Sequence, residues 1–256
     1  MEKGFPISPD RAIFLADAHL NQDDNDSRNF LALADRAASE RIPLFLLGDI
    51  FDLWFGAPEF AFAFQKPIVE HLQALRRGGL HLYYVEGNRD FYLKREHEGT
   101  TFDVVSEGVM QAAVGEKRLH LAHGDTVNRA DMAYRFWKGI SKNPVAYRGV
   151  SLLPAGLFLP AAHRLERNLK RSNRRHKGTF PERECREYAM RLFRRGVDFV
   201  ILGHFHQERL MRFSRAESTK IVVVLPSWKD RWRYFYLTAD GAYGFRAFQP
   251  GEPLLP

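Results

Sequence analysis

Cysteine is nearly absent from this 256-residue chain: there is one, Cys185. A lone cysteine excludes an intramolecular disulfide framework and a cysteine-built zinc site. It is consistent with a reducing compartment. Long hydrophobic runs are also missing. No stretch of roughly 18 or more uncharged apolar residues occurs, so no transmembrane helix is expected. The first apolar run, Ala12 to Ala16, is too short for a signal-peptide core. No internal repeat or low-complexity tract stands out. An acidic excess is lacking too: 38 Lys and Arg face 31 Asp and Glu, a formal +7 with a pI near 9.6. That balance points to an acidic partner: nucleic acid, an anionic membrane surface or a phosphorylated substrate. What is present is ordinary for a globular chain, 45% hydrophobic and 27% charged residues, which excludes a mainly disordered one.

The first half alternates strands and helices. Ala12–Ala16, Pro43–Leu47 and Leu80–Val85 read as buried strands. Ser27 is placed to cap a helix reaching about Glu40. A second helix is expected from about Phe60 to Arg77, closed by Gly78 and Gly79. This rhythm implies a largely parallel sheet with right-handed crossovers. Thr101 to Leu121 reads as short, hairpin-like strands. Strands resume at Val197–Leu202, and Ile221 to Phe248 alternates like antiparallel sheet. The reading is a single α/β domain over 1–256, two packed sheets with helices outside. A helical, basic insertion interrupts it at 131–195.

Each of the first three strands ends in a polar cluster. These are Asp17 and His19, then Asp49 and Asp52, then Asn88, Arg89 and Asp90. Later come His123 with Asp125, and His204 with His206. Taken singly, each is a common turn, although His-x-His is more suggestive because alternate strand residues share a side. Taken together they are hard to explain as loops. The carboxyl ends of strands in an open α/β sheet face one crevice. Asp17, His19, Asp49, Asn88, His123, His204 and His206 would converge there as oxygen and nitrogen donors. Such donors suit Mn²⁺, Fe or Zn²⁺. Seven are too many for one closed site and suit two ions sharing a carboxylate. Spacing alone leaves open which carboxylate is shared.

The ordered set resembles the calcineurin-like metallophosphoesterases. The resemblance spans residues 17 to 206 and implies a four-layer α/β/β/α sandwich with a dinuclear centre. It implies that Asp17, His19 and His206 hold one ion, that Asn88, His123 and His204 hold the other, and that Asp49 bridges. Three stretches, 48–56, 87–93 and 123–134, are similar to the UDP-2,3-diacylglucosamine pyrophosphatases of bacterial lipid A synthesis. That narrower resemblance rests on Arg89 directly after Asn88, on Asp131, and on an insertion after the His-Gly-Asp motif. There are departures: Ala18 follows Asp17 where Leu is commoner, and Phe205 and Gln207 stand where Thr and Arg are commoner.

Several expectations follow from the resemblance. The reaction is hydrolysis of a pyrophosphate bond, releasing UMP and a diacylglucosamine 1-phosphate. The cofactors are two divalent ions, Mn²⁺ first, with Fe or Zn²⁺ as alternatives. Asn88, Arg89 and His123 are expected at the catalytic centre. Arg89, Asp131, Ser172 and Lys177 are the expected substrate-binding residues. Arg89 has an alternative, a salt bridge to Asp90 or Asp52. Asp52, Asp90 and Asp125 are expected to orient histidines or close turns. Trp54 and Phe55 are expected in the core, and Cys185 is expected to be inert.

The positive charge is not spread evenly. From His163 to Arg195, twelve Lys and Arg face four Glu, a net +8 that leaves the rest of the chain near neutral. The uncharged, proline-broken stretch Gly149 to His163 precedes it. Grease followed by arginine suits an acylated UDP-sugar and an anionic membrane surface. The expected location is therefore cytoplasmic, peripheral on the inner face of a bacterial inner membrane, with no obligate protein partner. A phosphodiesterase or nuclease of the same fold is the alternative. It is disfavoured because the basic stretch lacks interleaved aromatics. A non-catalytic scaffold is the third reading, and the full donor set argues against it.

Overall fold

The computed structural model describes residues 7–20, 25–127, 180–215 and 218–256. Its strands form two main sheets. Strand β1 (Arg11–Leu15) pairs in parallel with β2 (Leu44–Leu46), which pairs with β4 (Leu82–Val85), which pairs with β6 (Val104–Ser106). On the other side of β1 come β12 (Arg233–Thr238) and β13 (Tyr243–Ala247), both antiparallel. The second sheet orders β10 (Arg209–Arg215), β11 (Ser218–Val224), β9 (Phe199–Leu202), β8 (Lys117–Ala122) and β7 (Val109–Val114). Strands β3 (Trp54–Phe55) and β5 (Asp90–Phe91) make a small third sheet.

The strand alternation explains the layers. Ile13 and Leu15 point to a core shared with helix α1 (Asn25–Ser39) and helix α2 (Gln65–Arg77), whereas Ala12 and Phe14 point to a second core between the sheets. Leu44 and Leu46 divide from Phe45 in the same way. In the second sheet Phe199 and Ile201 face the first sheet. Val200 and Leu202 face helix α3 (Glu182–Phe193) through Cys185 and Ala189. Period-two burial on both faces needs a cover on each side, so four layers result: helices, sheet, sheet, helix. Across the middle, Phe14 stacks on Phe45 at 5.0 Å, and Phe45 on Tyr83 at 4.5 Å. These rings occupy matching register positions on three adjacent strands. Removing the central ring, Phe45→Ala, would cost about 3–5 kcal/mol.

Helix α1 buries Phe30, Leu33, Ala34 and Ala37, the spacing of one helical face. Four local expectations need correction. Ser27 lies inside α1 and is buried, so it is not the cap. Helix α2 starts at Gln65, with only a 3-10 turn at Pro58–Phe60 before it. Gln65 itself makes the difference: its side chain accepts from Phe62 N at 3.0 Å and donates to Leu53 O at 2.7 Å, closing the preceding loop. Strand β6 joins the parallel sheet, so only β7 and β8 form the expected hairpin. The alternating tail is also not wholly antiparallel, since β11 pairs in parallel with β9. Most of the insertion 131–195, including Asp131, Ser172, Lys177 and Gly149 to His163, lies outside the described residues; of it the structure describes 180–195, with α3. Among the described residues no helix is long and apolar enough to cross a membrane.

Candidate metal centre

Five strands from both sheets end at one crevice. Asp17 and His19 follow β1, Asp49 follows β2, Asn88 follows β4, His123 follows β8, and His204 and His206 follow β9. The chain turns sharply there. Asp17, His19, Asp49, His204 and His206 all have positive φ, between 44° and 71°. Side chains other than glycine rarely adopt this region, and each such residue costs of order 1–2 kcal/mol. The strain goes with a useful geometry. The backbone keeps its parallel pairing past the strands, with Asp17 N to Gly48 O at 3.0 Å and His19 N to Asp49 O at 3.0 Å. Strand alternation is therefore not what aims the His-x-His pair, because both histidines lie beyond β9.

The donors gather in two groups. Asp17 Oδ1 lies 3.3 Å from His206 Nε2 and 3.9 Å from His19 Nε2, and the two Nε2 atoms are 3.3 Å apart. In the other group, Asn88 Oδ1 lies 3.0 Å from His123 Nε2 and 3.1 Å from His204 Nδ1. Asp49 Oδ2 is 3.6 Å from His123 Nε2. Ligand atoms of Asp17, His19 and His206 fall within 4.8 Å of one another, as do those of Asp17, Asp49 and His123. The structure thus brings all seven expected donors together and separates His204 from His206.

Electrostatics favour a cation here. Burial alone would raise the Asp17 carboxyl, but the neighbouring His206, with His123 and His19, holds it well below the usual carboxylate range. Burial pulls the His123 imidazole down. The Asp49, Asp17 and Asp125 carboxylates and the Leu47 carbonyl outweigh burial and raise it. The pocket therefore attracts positive charge. His204 goes the other way, down to about 4, because burial and the charge of His123 disfavour its proton. Its lone pair is accordingly available near neutral pH.

Surrounding groups fix the donors. The Leu47 carbonyl can only accept, so His123 Nδ1 carries the proton of their 2.8 Å bond and leaves Nε2 facing the crevice. Asp17 is pinned by His204 N on Oδ2 at 2.7 Å and by Ser227 Oγ on its carbonyl at 2.8 Å. Asp90 Oδ2 accepts from Asp49 N, Gly87 N and Tyr84 OH, which closes the turn as expected. Asp52 Oδ1 lies 3.3 Å from His19 Nδ1, at ion-pair distance and without a hydrogen bond between them. Ser227, Tyr84 and the Leu47 carbonyl had no sequence signal. Ser227 lies far along the chain, Leu47 acts through its backbone, and Tyr84 sits within the apolar run of β4.

Arg89 differs from the phosphate-binding expectation. Its side chain is buried, with Nη1 3.1 Å from Asp52 O and 3.3 Å from Asp52 Oδ1, and Nε 3.4 Å from Asp49 Oδ2. The alternative salt bridge to Asp52 is the arrangement found. Trp54 packs against Phe51 and Tyr84 in the core, and Phe55 stacks on Phe91. Cys185 is buried, and burial with Glu184 and Glu182 pushes its thiol up to about 12.

These residues fit divalent ions. Asp17 Oδ1 is buried and makes no hydrogen bond, although two imidazole nitrogens face it. Lone pairs of carboxylate, amide and imidazole meet without enough protons between them. A Cβ on Gly87 would lie 2.3 Å from Asp49 Oδ1, so only glycine allows that carboxylate its place.

Residues 11–208 match the model of the calcineurin-like phosphoesterase family. A protein named UDP-2,3-diacylglucosamine hydrolase from Chromohalobacter salexigens is 25% identical over 218 residues, covering 85% of this chain and 88% of its own. One of the same name from Yersinia pestis is 28% identical over 232 residues, covering 89% and 95%. Among solved structures, an archaeal phosphodiesterase covers 93% of this chain and 99% of its own at 10% identity, with a TM-score of 0.47.

Proposed function

The chain belongs to the calcineurin-like phosphoesterase family, and from that premise we propose that it hydrolyses UDP-2,3-diacylglucosamine to UMP and 2,3-diacylglucosamine 1-phosphate in lipid A biosynthesis. One observation carries this reading: relatives named UDP-2,3-diacylglucosamine hydrolase match it over most of both chains. The seven converging donors supply the means. Asp17, His19 and His206 would hold one divalent ion, and Asn88, His123 and His204 the other. Asp49 would be the carboxylate shared between them, beside His123 and near Asp17, which is common to both carboxylate–imidazole groups. Mn²⁺ is the metal assigned. Ions of this kind act as Lewis acids and lower the pKa of a bound water.

The chain's own residues do the rest. Leu47 O orients the His123 ring, and the Asp52 carboxylate lies at ion-pair distance from the His19 ring. His204 stays neutral and presents a lone pair. Buried Asp17 keeps its negative charge because imidazoles surround it. No serine or cysteine nucleophile is required, in keeping with the raised, buried thiol of Cys185.

The remaining assignments rest on sequence. Asp131, Ser172 and Lys177 contact substrate from the insertion, which belongs to a single domain spanning 1–256. The +8 segment following Gly149 to His163 binds an anionic membrane surface, placing the protein at the cytoplasmic face of the inner membrane without an obligate protein partner. The test is direct. Mn²⁺-loaded protein is incubated with UDP-2,3-diacylglucosamine and, separately, with bis-p-nitrophenyl phosphate. UMP release from the first is expected; turnover of the diester alone would overturn the substrate assignment.

A further inference from the structure

We propose that Arg89 is a positioning residue for the metal centre rather than a contact for substrate phosphate. The proposal deepens the functional reading above and rests on it for the presence of metal. Arg89 grips both oxygens of one carboxylate: its backbone N donates to Asp49 Oδ1 at 3.0 Å, and its side-chain Nε lies 3.4 Å from Asp49 Oδ2. The same guanidinium reaches Asp52 through Nη1, at 3.1 Å to the carbonyl and 3.3 Å to Oδ1. Asp52 Oδ1 in turn lies 3.3 Å from His19 Nδ1. A chain of contacts through His19–Asp52–Arg89–Asp49 therefore runs from a donor of one group to the carboxylate beside His123 of the other, the His19–Asp52 step being at ion-pair distance.

Burial decides between the two roles. Arg89 is 1% exposed, and two edges of its fork are committed to carboxylates inside the protein. A guanidinium that receives a phosphate must offer a free pair of N–H groups to the crevice. Here Nη1 and Nε both face carboxylates inside the protein. Its charge also separates Asp49 from Asp52, two buried carboxylates that would otherwise repel. A lysine has one point charge and no fixed fork, so it cannot span both.

The test titrates Mn²⁺ into the metal-stripped full chain by calorimetry, for wild type, Arg89→Gln, Asp52→Asn and the double variant. Partners that orient metal ligands typically contribute about 10–100-fold in affinity, so each single variant should bind Mn²⁺ that much more weakly. The double variant should lose less than the product of the two, because both cut one chain. With saturating Mn²⁺ and bis-p-nitrophenyl phosphate, kcat should fall while KM stays within about twofold. Wild-type Mn²⁺ affinity in Arg89→Gln, with the loss confined to KM, overturns the proposal. Circular dichroism checks that each variant folds. Should Arg89→Gln not fold, Asp52→Asn decides: unchanged Mn²⁺ affinity there also overturns it. The titrations need no substrate, so they stand apart from any failure of the UDP-sugar assay.

Discussion

The tightest steric constraint in the centre lies between Gly87 and Asp49, and it can be broken by one methyl group. In Gly87→Ala the new Cβ would sit 2.3 Å from Asp49 Oδ1 and 3.0 Å from Asp49 Cγ and N. Relief requires a displacement of about 1 Å, because carbon–carbon and similar contacts are comfortable only near 3.5 Å. Asp49 cannot retreat freely. Its N is held by Asp90 Oδ2 at 3.0 Å and its Oδ1 by Arg89 N at 3.0 Å. Gly87 is not among the positive-φ glycines, so the effect is steric and not conformational. Overpacking of this kind costs about 1–3 kcal/mol of stability, which a urea melt would read. A misplacement of about 1 Å at a reacting centre costs about 100-fold in rate, so turnover of bis-p-nitrophenyl phosphate should fall by that order. Mn²⁺ affinity should fall with it. Gly108→Ala is the control: nothing lies within 4 Å of its Cβ, and it should change stability by less than about 0.5 kcal/mol. Wild-type turnover and metal affinity in Gly87→Ala would refute the placement of Asp49.

Other outcomes follow from the same structure. Asn88→Ala should collapse turnover and leave the melting curve near wild type, since Asn88 Oδ1 meets two imidazoles at the crevice; full activity would remove Asn88 from the centre. Burial lowers His97 and His120 to about 4, so the folded state resists a proton that the unfolded chain accepts below about 6.5. Stability should fall as pH drops from 6.5 toward 4, by about 2 kcal/mol per histidine at pH 5. His120→Gln should flatten that slope in urea melts, and an unchanged slope would count against it. Cys185 should resist alkylation at pH 8 until the chain unfolds, because its thiol is buried and raised to about 12; rapid labelling of the native protein, read by mass spectrometry, would contradict its packing against the second sheet. Arg171→Glu with Arg174→Glu should weaken binding to anionic vesicles at low salt, by at least about 1 kcal/mol per arginine lost. Undiminished binding would argue against the membrane reading.

Much of the fold was legible because its signals are local. The apolar runs at 12–16 and 43–47 are strands, and their alternation divides Ile13 from Phe14 and Leu44 from Phe45 between two cores. The polar residues that end those runs line one crevice, as strand polarity requires. Local signals failed where a distant or backbone partner decided the outcome. Helix α2 begins at Gln65 because that side chain bonds Leu53 and Phe62. Strand β10 carries arginines and has no clear strand signal; it is a sheet edge, where an apolar alternation is not needed.

Sequence by itself determined the donor set and its order. Asp, His and Asn at strand ends are chemical identities, and identity needs no neighbour to be read. Tertiary structure decided how those donors are held. It put Asp17, His19, Asp49, His204 and His206 into left-handed backbone, which packing must maintain against their intrinsic preference. It also turned Arg89 inward, because Asp52 and Asp49 flank its guanidinium from positions 37 and 40 residues earlier in the chain. Which partner a buried charge meets depends on the three-dimensional packing of loops, and no local pattern encodes it.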